Sequence, residues 1–422
     1  MQVELIHPPH PQATDDRLDP PLGLMYVASS LQEAGHSVRI NDLSGQKTWA
    51  IGEADIYGIT VYIPTLSIAR QIAVQCRQRN PEAKIIVGGA HPTAMPESID
   101  FADAIVLGEG ELAMLDAVAD YPSLKPLYRR PLERDLDLYP NPAYWLVDLG
   151  SYSRTVGGEP SFPTLATRGC PYRCAFCGLA EHHKVVKCRS PELVVEELSW
   201  LVWQYGVRKF NFQDDSFTVG RKRLYRLLDL LEPLEIGFRC HGRVGLDRAD
   251  DYERLKSAGC ELISWGIESG SQEMLNRMNK QTTVEANALA IRKAKEAGLT
   301  TRAFFVIGFP GETKETLAQT KRFIEEVQPD QYFVSNFVPY PGTDVWDHPK
   351  KYGVRWISNN LDDYYQIDWS GHGGGTISTD WLSREEFLTL EAEFRCWLKS
   401  IPRRGPLLDY EKSLENSVLH TG

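Results

Sequence analysis

Between Gln2 and Phe337, short β-branched runs alternate with helical stretches in two successive series, and this pattern leaves few folds open. In the first series, strands are expected at Gln2–Ile6, Ser37–Asn41, Ala54–Thr60, Lys84–Val87 and Ala104–Val106, with helices at Pro21–Gly35, at Pro64–Gln78 and after Gly108-Glu109-Gly110. Parallel strands need helical crossovers of this kind, so an α/β fold with a doubly wound sheet, covered on both faces, follows. Such sheets bind ligands beyond the carboxyl ends of their strands. The loops placed there carry His7-Pro-Pro-His10, Thr60–Tyr62, Gly88–His91 and Gly108–Gly110. The second series places strands at about Thr164–Thr167, Lys209–Phe212, Gly237–Cys240, Leu262–Ile267, Arg302–Ile307 and Gln331–Phe337. These six β/α units fit an open, partial barrel better than a closed eightfold one.

This reading divides the chain into a first domain at 1–125, a linker at 126–160, a second domain at 161–345 and a helical extension at 346–422. The linker is rich in Pro, Tyr and Arg and has little periodicity. The extension contains Gly-His-Gly-Gly-Gly at Gly371–Gly375, read as a substrate loop or a surface turn, and one clear helix at about Ser383–Ser400. Cys396 on that helix reads most simply as a small buried hydrophobe.

Three of the eight cysteines fall within eight residues, as Cys170-Pro-Tyr-Arg-Cys174-Ala-Phe-Cys177, just after the first strand of the second series. Iron–sulfur clusters are held by thiolates, usually one for each iron. Three cysteines on a [4Fe-4S] cluster leave one iron without a protein ligand, and an open metal position is where chemistry happens. The alternatives are a zinc site completed by His182 or His183, or three unrelated thiols.

Composition narrows the partners. A net charge of -11 and the absence of a Lys/Arg run argue against a nucleic-acid surface. No window of 18 consecutive apolar residues occurs, and Met1–His10 has no basic region followed by an apolar stretch, so neither a membrane span nor a secretory leader is expected. A reducing cytoplasmic setting follows, in which the cysteines are thiols or metal ligands.

Beyond the cysteines stand Asp214-Asp215-Ser-Phe, Gly266-Ile-Glu268-Ser269-Gly270-Ser271, Gly308-Phe309-Pro-Gly311-Glu312-Thr313 and Pro339-Tyr-Pro-Gly342-Thr343. Before them stand Pro20-Pro-Leu-Gly-Leu24, Gly88-Gly-Ala-His91 and Gly108-Glu-Gly-Glu111. With these motifs the chain resembles the radical S-adenosylmethionine (SAM) superfamily, in the branch with an N-terminal cobalamin (B12)-binding-like domain. The resemblance runs through Thr343 and is specific for the superfamily rather than for one reaction. It implies a doubly wound, Rossmann-like B12-binding-like domain followed by a partial (β/α)6 radical SAM barrel and a small helical tail. It also implies that the open iron binds the amino and carboxylate groups of SAM.

The residues support particular roles, each beside a plainer one. Phe176 could shield the cluster and touch adenine. Asp214 or Asp215 could accept from the SAM amino group, or cap the following turn. Glu268 and Ser269 could bind the ribose or the carboxylate region. Gly308 permits close backbone approach and Phe309 could stack on the base, or the segment is only a turn. Arg243 could pair with the SAM carboxylate, or be a surface ion-pair residue.

The D-x-H-x2-G signature of cobalt ligation by histidine is absent. Relatives that lack it include some that bind cobalamin without a protein ligand to cobalt, so the cofactor stays open. Tyr62 and His91 would lie near a bound corrin, and a hydrogen-bonded loop histidine is the plainer reading of His91. The resemblance implies a cobalamin-dependent methyltransferase acting on an unactivated carbon of a small metabolite, served by an electron donor such as flavodoxin or ferredoxin. The alternative is a cobalamin-free radical SAM enzyme that transfers another SAM fragment, such as the 3-amino-3-carboxypropyl group, or catalyses a cyclisation or rearrangement. A non-catalytic iron–sulfur sensor would leave the SAM motifs unexplained.

Overall fold

The computed structural model describes residues 1–13, 15–178, 184–365 and 375–401. His182, His183 and Gly371–Gly374 lie outside the described residues. The chain forms two compact units, one over Met1–Ser153 and one from Arg154 onward.

In the first unit, β1 (Gln2–His7), β2 (Ser37–Asp42), β3 (Ile56–Thr60), β4 (Lys84–Gly88), β5 (Ala104–Leu107) and β6 (Leu127–Arg129) form one parallel sheet in the order β2-β1-β3-β4-β5-β6. The helices are α1 (Leu22–Glu33), α2 (Leu66–Arg79), α3 (Ala90–Ala94) and α4 (Gly110–Ala119). Met114, Ala113 and Ala117 of α4 and Ala28 and Leu31 of α1 pack with Val3, Leu5, Ile86 and Val106 of the strands in one apolar cluster. Gly110 opens α4 where a Cβ would come 3.0 Å from Val27, so its missing side chain lets the two helices close up. Burial on both sides explains why these strands read as runs of Val and Ile rather than as strict alternation.

The expected linker is a difference. Residues 127–129 form β6, the edge strand, and Ala143 is fully buried in the core cluster, its amide donating to the Met25 carbonyl at 3.0 Å. A three-residue strand between prolines is too short to show a period, which is why the sequence reads as irregular here. The second unit then opens with a short antiparallel hairpin, β7 (Thr155–Val156) and β8 (Glu159–Pro160).

The second sheet is built from β9 (Phe162–Thr164), β12 (Lys209–Phe212), β13 (Gly237–His241), β14 (Cys260–Glu268), β15 (Thr300–Ile307) and β16 (Gln331–Asn336). All pair in parallel, in chain order, and β9 does not pair with β16, so the barrel is open as expected. The first expected strand, Thr164–Thr167, is instead two pieces. β9 ends at Thr164, and β10 (Thr167–Arg168) pairs antiparallel with β11 (Lys187–Cys188). The return helices are α5 (Pro191–Tyr205), α6 (Arg221–Leu231), α7 (Ala249–Ser257), α9 (Val284–Glu296) and α10 (Lys314–Val327), with the short α8 (Gln272–Arg277) after β14. They cover an apolar sheet face: Trp265 meets Tyr252 of α7 with centroids 5.9 Å apart, and Phe305 meets Phe323 of α10 at 6.1 Å.

The extension contributes α11 (Asp344–Asp347), the antiparallel pair β17 (Val354–Ile357) and β18 (Ile377–Thr379), and α12 (Arg384–Ser400). Phe387, Glu391 and Phe394, at successive turns, form the buried stripe of α12. Cys396 lies off that stripe and is exposed, so it is not the buried hydrophobe expected.

Candidate active site

The cysteine loop rises from β10 at the carboxyl-end side of the barrel strands. Both aspartates after β12 bind its base. Asp214 is buried and accepts the Thr167 hydroxyl at 2.6 Å and the Ala166 amide at 3.1 Å. Burial pushes its carboxyl up to about 6, against the pull of these hydrogen bonds. Asp215 accepts the Gly169 amide at 2.7 Å. Both aspartates thus bond to the loop that carries the cysteines, and Asp214 does so from a buried position. The far side of the loop is tied by the Ala175 amide to the Met278 carbonyl at 2.9 Å and by Asn279 Nδ2 to the Arg173 carbonyl at 2.7 Å.

Cys170, Cys174 and Cys177 are all half-buried. The Cys177 amide donates to the Cys174 carbonyl at 3.1 Å, which turns the last two cysteines tightly. Among the described residues no three His, Cys, Asp or Glu side chains are gathered as a metal-binding group. Arg243 stands against them. Its Nη1 lies 3.7 Å from Cys174 Sγ, its guanidinium lies 3.7 Å from the Tyr172 ring centroid, and its Nη2 donates to the Lys280 carbonyl. Burial pushes the Cys170 thiol up, and the Arg243 charge opposes that. Three thiols on one anchored loop, with a buried cation beside them, suit a thiolate-bound cluster. Arg243 is therefore a buried residue of the site and not a surface ion pair.

Lys280 carries a contact that the sequence did not reveal. Its Nζ pairs with Glu268 at 2.6 Å, both side chains nearly buried, and sits 5.8 Å from the Phe176 ring. Glu268 has φ +66°, and a Cβ on Gly266 would fall 2.1 Å from its carboxylate, so that glycine makes the pair possible. Ser269, by contrast, bonds to Thr320 of α10 at 3.1 Å and accepts the Ser271 amide at 3.1 Å. It fastens a turn.

The Gly308 segment also departs from expectation. A Cβ on Gly308 would come 2.4 Å from the Phe387 ring of α12, so the close approach here is to the protein's own extension. Phe309 is buried among Phe337, Tyr352 and Phe176, with centroids 5.0, 6.0 and 6.5 Å away. It packs edge-on against Phe176, which is half-buried at the loop. Glu312 is buried, accepts from Thr316 and from the Gly308 amide, and burial pushes it up to about 7.

In the first unit, the strand order reverses between β1 and β3, and the crevice beyond their carboxyl ends is the ligand position of such sheets. Tyr62, two residues beyond β3, is 47% exposed there. Gly89, with φ +110°, brings the β4 loop against the β3 loop, where a Cβ would come 2.9 Å from the Val61 carbonyl. His91 is buried, with Nε2 2.8 Å from the Ser98 hydroxyl, and desolvation pushes it down to about 4. It is the loop histidine, neutral and enclosed. An exposed aromatic ring beside closely packed glycine loops suits a flat macrocycle held without an imidazole ligand from His91.

No helix among the described residues is long and apolar enough to cross a membrane. Residues 164–324 match the family model for the radical SAM superfamily, and residues 18–118 match that for the B12 binding domain. An uncharacterized methyltransferase of Pyrococcus horikoshii is 32% identical, over 86% of this chain and 84% of its own length. The anaerobic magnesium-protoporphyrin IX monomethyl ester cyclase of Cereibacter sphaeroides is 28% identical, over 82% of this chain and 63% of its own. In fold, the chain is similar to the radical SAM methyltransferase TsrM from Kitasatospora setae, solved with cobalamin and a [4Fe-4S] cluster bound, with TM-score 0.65 and 18% identity over 88% of this chain and 86% of that one.

Proposed function

The chain belongs to the radical SAM superfamily and carries a B12-binding domain, and from that premise we propose that it is a cobalamin-dependent methyltransferase acting on a carbon of a small organic substrate. The observation that carries this reading is the cysteine loop bound through Asp214 and Asp215 to the carboxyl end of β12, in a chain whose other unit offers a switch-point crevice. When bound, the [4Fe-4S] cluster supplies an open iron for SAM and one-electron chemistry, and cobalamin supplies a methyl carrier.

The chain's own residues do the rest. Cys170, Cys174 and Cys177 hold the cluster. Asp214 and Asp215 fix the loop to the barrel, and Arg243 offsets thiolate charge. Phe176, backed by Phe309, covers the loop from one side, and the Glu268–Lys280 pair borders it from β14. Ser269 and Gly308 position these groups through α10 and α12. Tyr62 provides a face for the corrin, with His91 holding its loop. A reducing cytoplasmic setting and a low-potential donor such as flavodoxin or ferredoxin fit the cluster's need for single electrons.

The relative named as a methyltransferase supports methyl transfer over transfer of another SAM fragment, and the cyclase favours cyclisation as the second reading. The test is anaerobic reconstitution with iron, sulfide and hydroxocobalamin, then elemental analysis. About four irons and about one cobalt per chain are expected. Iron without cobalt overturns cobalamin dependence, and zinc in place of iron overturns the whole reading. Product labelled from methyl-labelled SAM then separates methyl transfer from cyclisation.

A further inference from the structure

Arg243 reaches the cysteine loop from the segment between β13 and α7, residues 242–248. Its Nε is buried with no hydrogen-bond partner among the described residues, so the direction of the side chain is set largely from its backbone. That backbone is closed into a turn. The Arg243 carbonyl accepts the Leu246 amide at 2.9 Å and the Asp247 amide at 3.3 Å, and Val244 bridges to Asp247. On the sheet side, the Gly242 amide donates to the Ser264 carbonyl at 2.9 Å. A Cβ on Gly242 would come 2.7 Å from Trp265 Nε1, so the indole lies directly against the residue before Arg243.

The same indole nitrogen is bound from the turn itself. Asp247 Oδ2 accepts Trp265 Nε1 at 2.8 Å and the Tyr252 hydroxyl at 2.7 Å. Trp265, on β14, and Tyr252, on α7, are each almost fully buried. One carboxylate therefore joins the Arg243 turn, the sheet and the helix that follows. Its other oxygen, Oδ1, is buried and has no hydrogen-bond partner among the described residues. Both donors are neutral, and burial pushes the carboxyl up to about 6 against their pull. A buried carboxylate with neutral donors and one bare oxygen is costly for the fold. What it gains is a firm turn, since a hydrogen bond to an ionised acceptor is roughly twice as strong as a neutral one.

We propose that Asp247 is a positioning residue of the cluster site, holding the Arg243 turn through Trp265 and Tyr252 so that the guanidinium meets Cys174 Sγ, Tyr172 and the Lys280 carbonyl. This rests on the radical SAM reading and extends it to a residue outside the SAM motifs.

The test uses the full chain reconstituted anaerobically with iron and sulfide, its iron content measured first. The cluster is then reduced with dithionite and titrated with SAM, and the concentration that half-converts its electron paramagnetic signal is read. Asp247→Ala is expected to raise that concentration about tenfold, the lower end of the loss when a supporting contact leaves a metal site. Asp247→Asn keeps an acceptor for the indole and the phenol and recovers most of it. Trp265→Phe and Tyr252→Phe each remove one donor, keep a ring and give a smaller rise, and they serve where Asp247→Ala folds poorly. Asp247→Ala combined with Arg243→Met should lose no more than Arg243→Met alone, because Asp247 acts through Arg243. Thermal melts accompany every variant. Lower melting temperatures with an unchanged SAM titration show a structural role only and overturn the proposal, and so do additive losses in the double variant. A natural chain that holds no iron overturns the radical SAM reading as well, which separates the two failures.

Discussion

Arg243 meets Cys174 at 3.7 Å, guanidinium nitrogen to sulfur, while the same guanidinium covers the Tyr172 ring and holds the Lys280 carbonyl. One cation thus touches the cysteine loop twice and the turn behind it once. Arg243→Met is expected to lower iron retention or SAM cleavage by about 10–100-fold, the usual effect of removing a supporting contact from a metal site. Arg243→Lys restores the charge but not the flat contact with Tyr172, and recovers only part. Iron content and the electron paramagnetic signal of the reduced cluster check this. An unchanged signal with SAM in Arg243→Met would reject the role.

Glu268 and Lys280 are each 8% exposed at the side chain and pair at 2.6 Å. Removing one partner leaves a buried charge uncompensated, a loss of about 3–5 kcal/mol. Glu268→Gln and Lys280→Met should each destabilise the chain by this amount, and the double variant should recover much of it. Chemical denaturation of the three variants measures the coupling.

Gly308 has φ +79° and faces the Phe387 ring. Gly308→Ala therefore meets both backbone strain of about 1–2 kcal/mol and a clash with α12. Phe387→Ala leaves a cavity costing about 3–5 kcal/mol. In the double variant the losses should be less than additive, because the alanine methyl then has room. Strict additivity would show that α12 does not rest on Gly308.

Glu312 gives a pH dependence of definite sign. Its carboxyl is pushed from 4.5 up to about 7 by burial, so the folded state keeps its proton where the unfolded state has lost it. Its contribution is intact below about 4.5 and is lost as pH rises through about 7. The buried histidines act the other way, since lowered imidazoles favour the fold as pH rises. A difference measurement isolates the glutamate: Glu312→Gln should gain stability over the natural chain at pH 8 compared with pH 5, by on the order of 3 kcal/mol. Equal shifts at both pH values would refute it.

Tyr62 and His91 should part company when cobalamin is loaded. Tyr62→Ala removes an exposed aromatic face worth about 0.5–1.5 kcal/mol and lowers cobalt retention. His91→Ala should leave the absorbance maxima of bound hydroxocobalamin in place, because the His91 ring is enclosed with Ser98. A spectral shift in His91→Ala would make it a cobalt ligand.

By itself, the sequence determined the elements and their order. Runs such as Lys209–Phe212 and Gln331–Asn336 carry their strand character locally, and the positive-φ glycines Gly308 and Gly311 mark turns whatever surrounds them. Cysteine spacing determined the cluster loop in the same way, since its three thiols are neighbours in the chain. Tertiary structure alone decided what those turns and side chains face. Asp214 looks inward to Thr167 because β10 returns beneath it. Phe309 turns into an aromatic core because α12 fills the space above Gly308. Residues 127–129 become a strand only because β5 offers an edge. The alternation that puts Arg239, His241, Arg302 and Gln331 on one face is present in the sequence. Which face is the inside of the barrel follows only once the helices have packed on the other, because a side chain's partners are set by residues far along the chain.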